Sequence, residues 1–369
     1  MKTLRRFAYP LLISSAILPL TCRAQAQPSR TPNPALLILS KQDHSLAIVD
    51  PASLRVVARV PVGEDPHEVV ASTDGHTAYI SNYGFGSFHT ISVVDLIAQE
   101  PEPQIDLGPL RGPHGLTFVQ GRVWFTAEAA KAIGSVDSGS RQVNWIMGTG
   151  QNRTHMIYVF PDAQKIVTTN VNSATVTILE HTDHPAGAQR PPQGGPNWQG
   201  AGVPPPAMPR PNGPPPGPPG GDWNETVIPV GGGSEGFDVT PDGKQAWVAN
   251  AWDGTISVID IAQKKVTATI QANARGANRL KFTPDGKRAL VSAGAEVVVF
   301  DVATQKEVKR LQIGHGGGGG IQMQPDGKRA YVAFAQDGFV AAIDLATLEV
   351  VGKIDAGGTP DGMAWAVQH

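Results

Sequence analysis

A short run of apolar and β-branched residues ending in a carboxylate returns seven times along this chain, and its spacing leaves few folds open. Asp50, Asp95, Asp137, Glu180, Asp260, Asp301 and Asp344 close runs such as IVD, VVD, SVD and VID, at intervals of 45, 42, 43, 80, 41 and 43 residues. The fullest copy occupies residues 241–260, PDGKQAWVANAWDGTISVID. Its Pro-Asp-Gly turn, its alternation of apolar and small residues, a second turn at Asp253-Gly254 and the β-branched run from Thr255 to Ile259 describe antiparallel strands joined by tight hairpins. A period in the forties built from four short strands predicts the blades of a β-propeller.

The ends of the chain predict how the ring closes. Three strands, Ala35 to Ser40, Leu46 to Asp50 and Leu54 to Val60, precede the first full repeat, and a single strand, Asp361 to Val367, follows the last. Together they make one shared blade, with the C-terminal segment as inner strand and the N-terminus supplying the outer three. Such a splice removes the exposed sheet edges that invite aggregation. The expected fold is all-β: a seven-bladed propeller of four-stranded antiparallel blades over residues 35–369, with 27–34 as a linker.

Ahead of that linker, Lys2, Arg5 and Arg6 are followed by an apolar run from Phe7 to Leu20 and then by Ala24-Gln25-Ala26. This order of regions predicts a secretory signal peptide over 1–26 and hence a periplasmic or secreted protein. The run is interrupted by Pro10 and Pro19 and is short for a transmembrane anchor. Cys22, the only cysteine, lies inside the leader; a lipid anchor there is the competing reading, disfavoured by Thr21 where a smaller residue is expected. Without Lys2, Arg5, Arg6 and Arg23, 26 basic residues face 32 acidic ones, a balance that argues against nucleic acid as a partner.

The 80-residue interval marks an insertion over 181–223, containing QRPPQGGPNWQGAGVPPPAMPRPNGPPPGPPGG, too rich in proline and glycine to bury a core. Its place after Glu180 puts it between the third and fourth strands of the third blade, on the face opposite the candidate site. A surface insertion and a Pro-rich docking segment are both open readings.

On a propeller, the residues that lead into the inner strands gather around the channel. Here they are His67 in EDPHEVV, His114 in RGPHGLTF, His155 in NRTHMIYV, Glu235 in GSEGFDV, Asn278 in GANRLKF, Gly319 in GGGGIQM and Asp361 in TPDGMAW. Three histidines and a glutamate at equivalent positions make His67, His114, His155 and Glu235 a candidate set for a divalent metal ion. The same groups can position a water or act as a base near neutral pH, or simply satisfy a polar channel mouth. His315 precedes the five glycines 316–320, where backbone can approach a ligand closely, which adds His315 to the ligand-binding candidates beside Asn278 and Asp361. Asn82, Asn170 and Asn250 in ISN, TTN and VAN, and the closing aspartates, read as framework. Lys165, Lys244, Lys287, Arg288, Lys328 and Arg329 follow the turns on the far face, as a basic patch or as solvated turns.

The strings WVANAWDGTISVID and YISNYGFGSFHTISVVD, with the recurrent PDGK turns, resemble the YVTN-type repeats of YncE-like seven-bladed propellers of bacterial periplasms and surface layers. That resemblance implies export and a binding or scaffolding role. The second blade, GPHGLTFVQGRVWFTAEAAKAIGSVD, is similar to the repeats of streptogramin lyase, where a His and a Glu stand near a magnesium ion; on that likeness His114 and Glu128 match, with Ala127 intervening in the motif.

The leading expectation is an exported propeller that binds a small ligand or a protein on its histidine-lined face without turnover of its own. One alternative is a metal-dependent lyase or hydrolase using His114 and Glu128, with His67, His155 and Glu235 as ligands or base. Another is a periplasmic copper or redox-associated protein using the same histidines. A closed ring needs no partner to satisfy its edges, so a monomer is expected.

Overall fold

Within each repeat the second and third strands are buried at nearly every position, whereas the fourth is mostly exposed or half-buried. Gln245–Asn250 and Thr255–Asp260 are buried almost throughout, on both faces, while Lys265–Ile270 alternates exposed and half-buried residues. Strands buried on both faces must be covered by sheets on both sides, and a fourth strand with one wet face belongs at the rim. The computed structural model describes residues 30–182 and 222–369 and meets this requirement with seven four-stranded antiparallel sheets. The stretch expected to form a leader, with Cys22, and most of the Pro-rich segment lie outside the described residues.

The core is shared between neighbouring sheets. Each of seven apolar clusters joins two adjacent blades. Trp247, Ile256 and Val258 of the fourth blade pack on Leu280, Phe282 and Val291 of the fifth, and Leu36, Ile38 and Val49 of the shared blade pack on Tyr331 and Val340 of the sixth. Together the clusters run around the whole ring, so no blade is stable by itself.

The ring closes as expected. Pro360–Ala366 pairs antiparallel with Ala35–Ser40, from Ala35 opposite Ala366 to Ser40 opposite Pro360. Asn33 adds a two-way bond to Gln368, its Nδ2 donating to the backbone oxygen at 2.8 Å and its Oδ1 accepting from the backbone N–H at 3.0 Å.

The turns behave as framework. Gly243, Gly286 and Gly327 of the Pro-Asp-Gly turns hold φ of 72°, 69° and 71°, and Ala163 occupies the matching position of the third blade at φ 54°. The lysines that follow are paired locally: Lys244 to Asp242 at 3.1 Å and Lys328 to Asp326 at 3.3 Å, while Lys165 meets Glu180 at 2.9 Å. Arg288 and Arg329 instead donate to carbonyls of the next blade, at Leu345 and Pro51. Among the described residues, each of these far-face cations has an acid or a carbonyl partner.

The hairpin that carries the insertion runs slightly beyond its sequence boundaries. Thr175–Thr182 pairs with Asp222–Pro229, with His181 opposite Trp223 and Thr182 opposite Asp222. Both ends of the inserted segment thus leave from a regular two-stranded ladder between the third and fourth strands of that blade.

Candidate functional site

Each of the seven inner strands shifts register near its channel mouth, as between Pro66 and Val69, Pro113 and Leu116, and Thr154 and Ile157. A bulge of this kind releases two residues from the ladder and re-aims their side chains. The first released residues are His67, His114, His155, Glu235, Asn278, Gly319 and Asp361, the seven positions singled out in the sequence. The second are Glu68, Gly115, Met156, Gly236, Gly320 and Gly362, with Arg279 at the equivalent position of the fifth blade, where only Asn278 leaves the ladder and Arg279 still faces Ser292. Four of these are glycine because the next inner strand leaves no room: a Cβ on Gly115, Gly236, Gly320 or Gly362 would fall within 2.5 Å of the carbonyl oxygen of His155, Asn278, Asp361 or His67.

Hydroxyls fix these bulges to one another. Ser81 Oγ accepts from the N–H of Glu68 at 3.0 Å and donates to the carbonyl of His114 at 2.8 Å. Thr126 makes the same bridge from Gly115 to His155, at 2.9 and 2.7 Å, and Thr169 from Met156 to Glu235, at 3.3 and 2.8 Å. Ser292 repeats it between Arg279 and Gly319. The backbone of His114, His155 and Glu235 is thereby held by the preceding blade.

His155 is the centre of the charged cluster. It is 2 % exposed, with Nδ1 at 2.5 Å from Glu128 Oε1 and Nε2 at 2.8 Å from Glu235 Oε2. The second contact is close but off the hydrogen-bond line, so Nε2 has charge attraction without an aligned partner. Tyr83 donates its hydroxyl to the other oxygen of Glu128 at 2.5 Å, and Arg153 reaches Glu235 at 3.1 Å and Glu128 at 3.5 Å. Burial would lower the pKa of His155, but the carboxylates of Glu235 and Glu128 outweigh it and hold the ring above its ordinary value, as an imidazolium. Burial would equally raise both acids, yet His155 overrides it: Glu128 stays below its ordinary range, and Glu235, with Arg153 and Arg279 also near, is brought down to about 2.

His114 is the opposite case. Its ring lies 3.9 Å from that of His155, centre to centre, and 4.8 Å from that of His67. It is 2 % exposed, and its Nδ1 has no hydrogen-bond partner. Burial first, and then the cations around it, push its pKa well below the usual value, so His114 is neutral. His67 turns away from this pair. Its Nε2 lies 2.9 Å from Lys41 Nζ and its Nδ1 3.2 Å from the carbonyl oxygen of Asp65.

Lys41 also grips Asp361 at 2.6 Å and, with Arg279 and His67, keeps that buried carboxylate ionised against the cost of burial. One residue below the mouth, Arg279 pairs with Glu68 across the channel, from the fifth blade to the first. This buried strut borders a cavity of about 290 Å³ walled by Lys41, His67, His114, Arg153, His155, Glu235, Asn278, Arg279, Asp361 and the backbone of 317–319.

Of the residues expected from sequence, His67, His114, His155, Glu235, Asn278 and Asp361 thus share one cavity, and Glu128 stands behind its wall against His155. His315 does not join them: its side chain is 95 % exposed on the rim, where Nδ1 lies 2.6 Å from Asp337. Of the four residues proposed from sequence as a metal set, His114 and His155 have donor atoms within 4.8 Å of each other and of Glu128, and Glu235 stands on the other side of His155, 2.8 Å from its Nε2. Lys41, Tyr83, Arg153, Glu68 and Arg279 were missed. The one signal for the last two was opposite charge at a position where four blades carry glycine. Asn82, Asn170 and Asn250 tie the second strand to third-strand hydroxyls, as Asn250 Nδ2 does to Thr255 and Ser257 at 2.9 Å, which is a framework role.

No family model matches the chain, and no curated protein does. Solved structures do. A functionally unknown protein from Desulfotomaculum acetoxidans aligns with TM-score 0.68 at 12 % identity, over 91 % of this chain and 99 % of that one. Kuenenia stuttgartiensis hydrazine synthase aligns with TM-score 0.64 at 17 % identity, over 90 % and 100 %. The dihydro-heme d1 dehydrogenase NirN, in complex with DHE, aligns with TM-score 0.58 at 15 % identity, over 94 % and 77 %. At such identities the likeness is one of fold: a seven-bladed propeller of four-stranded antiparallel blades, closed by its two ends.

Proposed function

We propose that this chain is an exported propeller of the YVTN type that binds a small polar ligand in the histidine-lined end of its channel, without turnover of its own. The observation that carries the reading is the cavity. Charged and imidazole groups from six blades line about 290 Å³ of space instead of filling it, with Arg279 of the lining paired to Glu68 across the channel. Burying this many ionic groups is costly, and a framework alone does not call for it. The leader-like residues 1–26 and the repeat sequence support export. Phe85 and Trp252 stand exposed on loops between second and third strands, on the same face, and would meet any ligand larger than the cavity.

The test is a thermal-shift screen of small carboxylates, amines and sugars, followed by calorimetry. A ligand at 100 times its Kd should add about 2.7 kcal/mol to wild-type stability and should lose most of that effect in Asp361→Asn. Stabilisation that survives Asp361→Asn and Asn278→Ala together would place binding elsewhere.

A second reading, a lyase or hydrolase acting at His114 and Glu128, is favoured by one observation: a neutral buried imidazole with an unpartnered nitrogen next to a carboxylate is a suitable base. Screening lactones and cyclic esters tests it. Turnover must vanish in His114→Ala, and turnover unchanged in that variant would reject the assignment.

A further inference from the structure

We infer that the deep wall of the cavity binds one divalent first-row transition ion through His114, His155 and Glu128. This rests on the ligand-binding reading above and names the class of its ligand.

Four observations converge. The donor atoms of the three residues lie within 4.8 Å of one another, and all three side chains are buried. One ring nitrogen, His114 Nδ1, is buried with no hydrogen-bond partner, whereas the nitrogens of His155 face the carboxylates of Glu128 and Glu235. A buried nitrogen left unpaired costs about 1–3 kcal/mol, and a metal would remove that cost. The backbones are fixed before any ion arrives, because Ser81 and Thr126 hold the carbonyls of His114 and His155. Finally, Tyr83 holds the second oxygen of Glu128, an outer support of the kind that orients a ligating carboxylate.

The donors select the ion. Two imidazoles and one carboxylate suit zinc, copper, nickel or cobalt, and are a poor set for magnesium or calcium, which take oxygen ligands. Donors around a tetrahedral ion stand about 3.4 Å apart. Binding therefore draws the three donors, which lie within 4.8 Å of one another, in by up to about 1.4 Å, opens the His155–Glu128 contact and releases one proton from His155 to solvent. Three protein donors leave a fourth position. His114 and His155 both line the cavity, so that position faces the space a small molecule would enter.

The experiment uses the full chain stripped with chelator, then titrated calorimetrically with zinc, copper, nickel and cobalt, with magnesium and calcium as contrasts. Expected is one transition ion per chain and no magnesium or calcium uptake. His114→Ala and Glu128→Gln should each weaken binding at least about 100-fold, and Tyr83→Phe about 10- to 100-fold, while the surface variant His89→Ala matches wild type. The visible spectrum of the cobalt-loaded protein should change in Tyr83→Phe and disappear in His114→Ala. Circular dichroism of each metal-free variant shows that the ring is intact. Failure of the folded wild type to take up any of these ions, or uptake unchanged in His114→Ala and Glu128→Gln, overturns the site. If no ion is taken up but the metal-free protein binds an organic compound through Asp361, the metal inference falls and the cavity reading stands. If neither ion nor compound binds, both fall.

Discussion

His155, with a carboxylate at each ring nitrogen, carries a charge only because Glu128 and Glu235 are there. Its folded pKa lies above the ordinary 6.5, so its contribution is complete below that pH and is lost as pH rises through the folded value. Glu235, at about 2 against an ordinary 4.5, contributes fully above 4.5 and less as pH falls toward 2. The stability advantage of the metal-free wild type over the double variant Glu128→Gln/Glu235→Gln should therefore peak between pH 4.5 and 6.5. There it should reach roughly 3–5 kcal/mol, the usual cost of breaking a buried ion pair. Urea unfolding from pH 4 to 9 reads this out, and an advantage that stays flat to pH 9 would mean that His155 is uncharged in the fold. At this scale the sequence showed where the imidazoles stand, because position in a repeat dictates position around an axis. It did not show which nitrogen meets which oxygen. Tyr83, Arg153 and Lys41 come from loops whose side chains become neighbours only once the ring is drawn to scale.

The element that shapes the site is the bulged inner strand with its hydroxyl bridge. Thr126 links the N–H of Gly115 to the carbonyl of His155, and Thr126→Val keeps the shape while leaving both groups unpaired. The variant should lose about 1–3 kcal/mol and should weaken any ligand of the cavity, measured by urea unfolding and calorimetry on the same sample. Ala163 sits at φ 54°, a region glycine enters freely, so Ala163→Gly should raise stability by about 1 kcal/mol with no effect on binding. Strands, turns and the point of insertion were legible because tight hairpins demand Gly, Pro and Asp at fixed offsets. The hydroxyl bridges were hidden. Ser81, Thr126, Thr169 and Ser292 each sit one place before the end of a second strand, where other blades carry Ala249, Ala333 or Leu39 and manage without. A device used in only some repeats leaves no period to detect.

For the whole molecule, the ion pair of Arg279 and Glu68 is the one charged link across the channel among the described side-chain contacts. Arg279→Met strands a buried carboxylate and should cost about 3–5 kcal/mol, whereas the double change Arg279→Met/Glu68→Leu should recover most of it. A double-mutant cycle by chemical denaturation checks this, and a recovery of less than half would show that the pair fixes the ring's shape as well as its charge balance.

The two-ended blade has a temporal consequence. Asn33 and Gln368, 335 positions apart, bond directly, and Ala35–Ser40, the first of the described strands, has Ser45–Asp50 on one side but finds its other neighbour only in the last, Pro360–Ala366. A chain emerging from a ribosome therefore exposes one unmated edge of Ala35–Ser40 until Pro360–Ala366 is released, a long-range pairing that is slow by nature. Synthesis stalled a few residues short would leave an unclasped necklace prone to joining another, which makes the C-terminal strand the step on which escape from self-association depends.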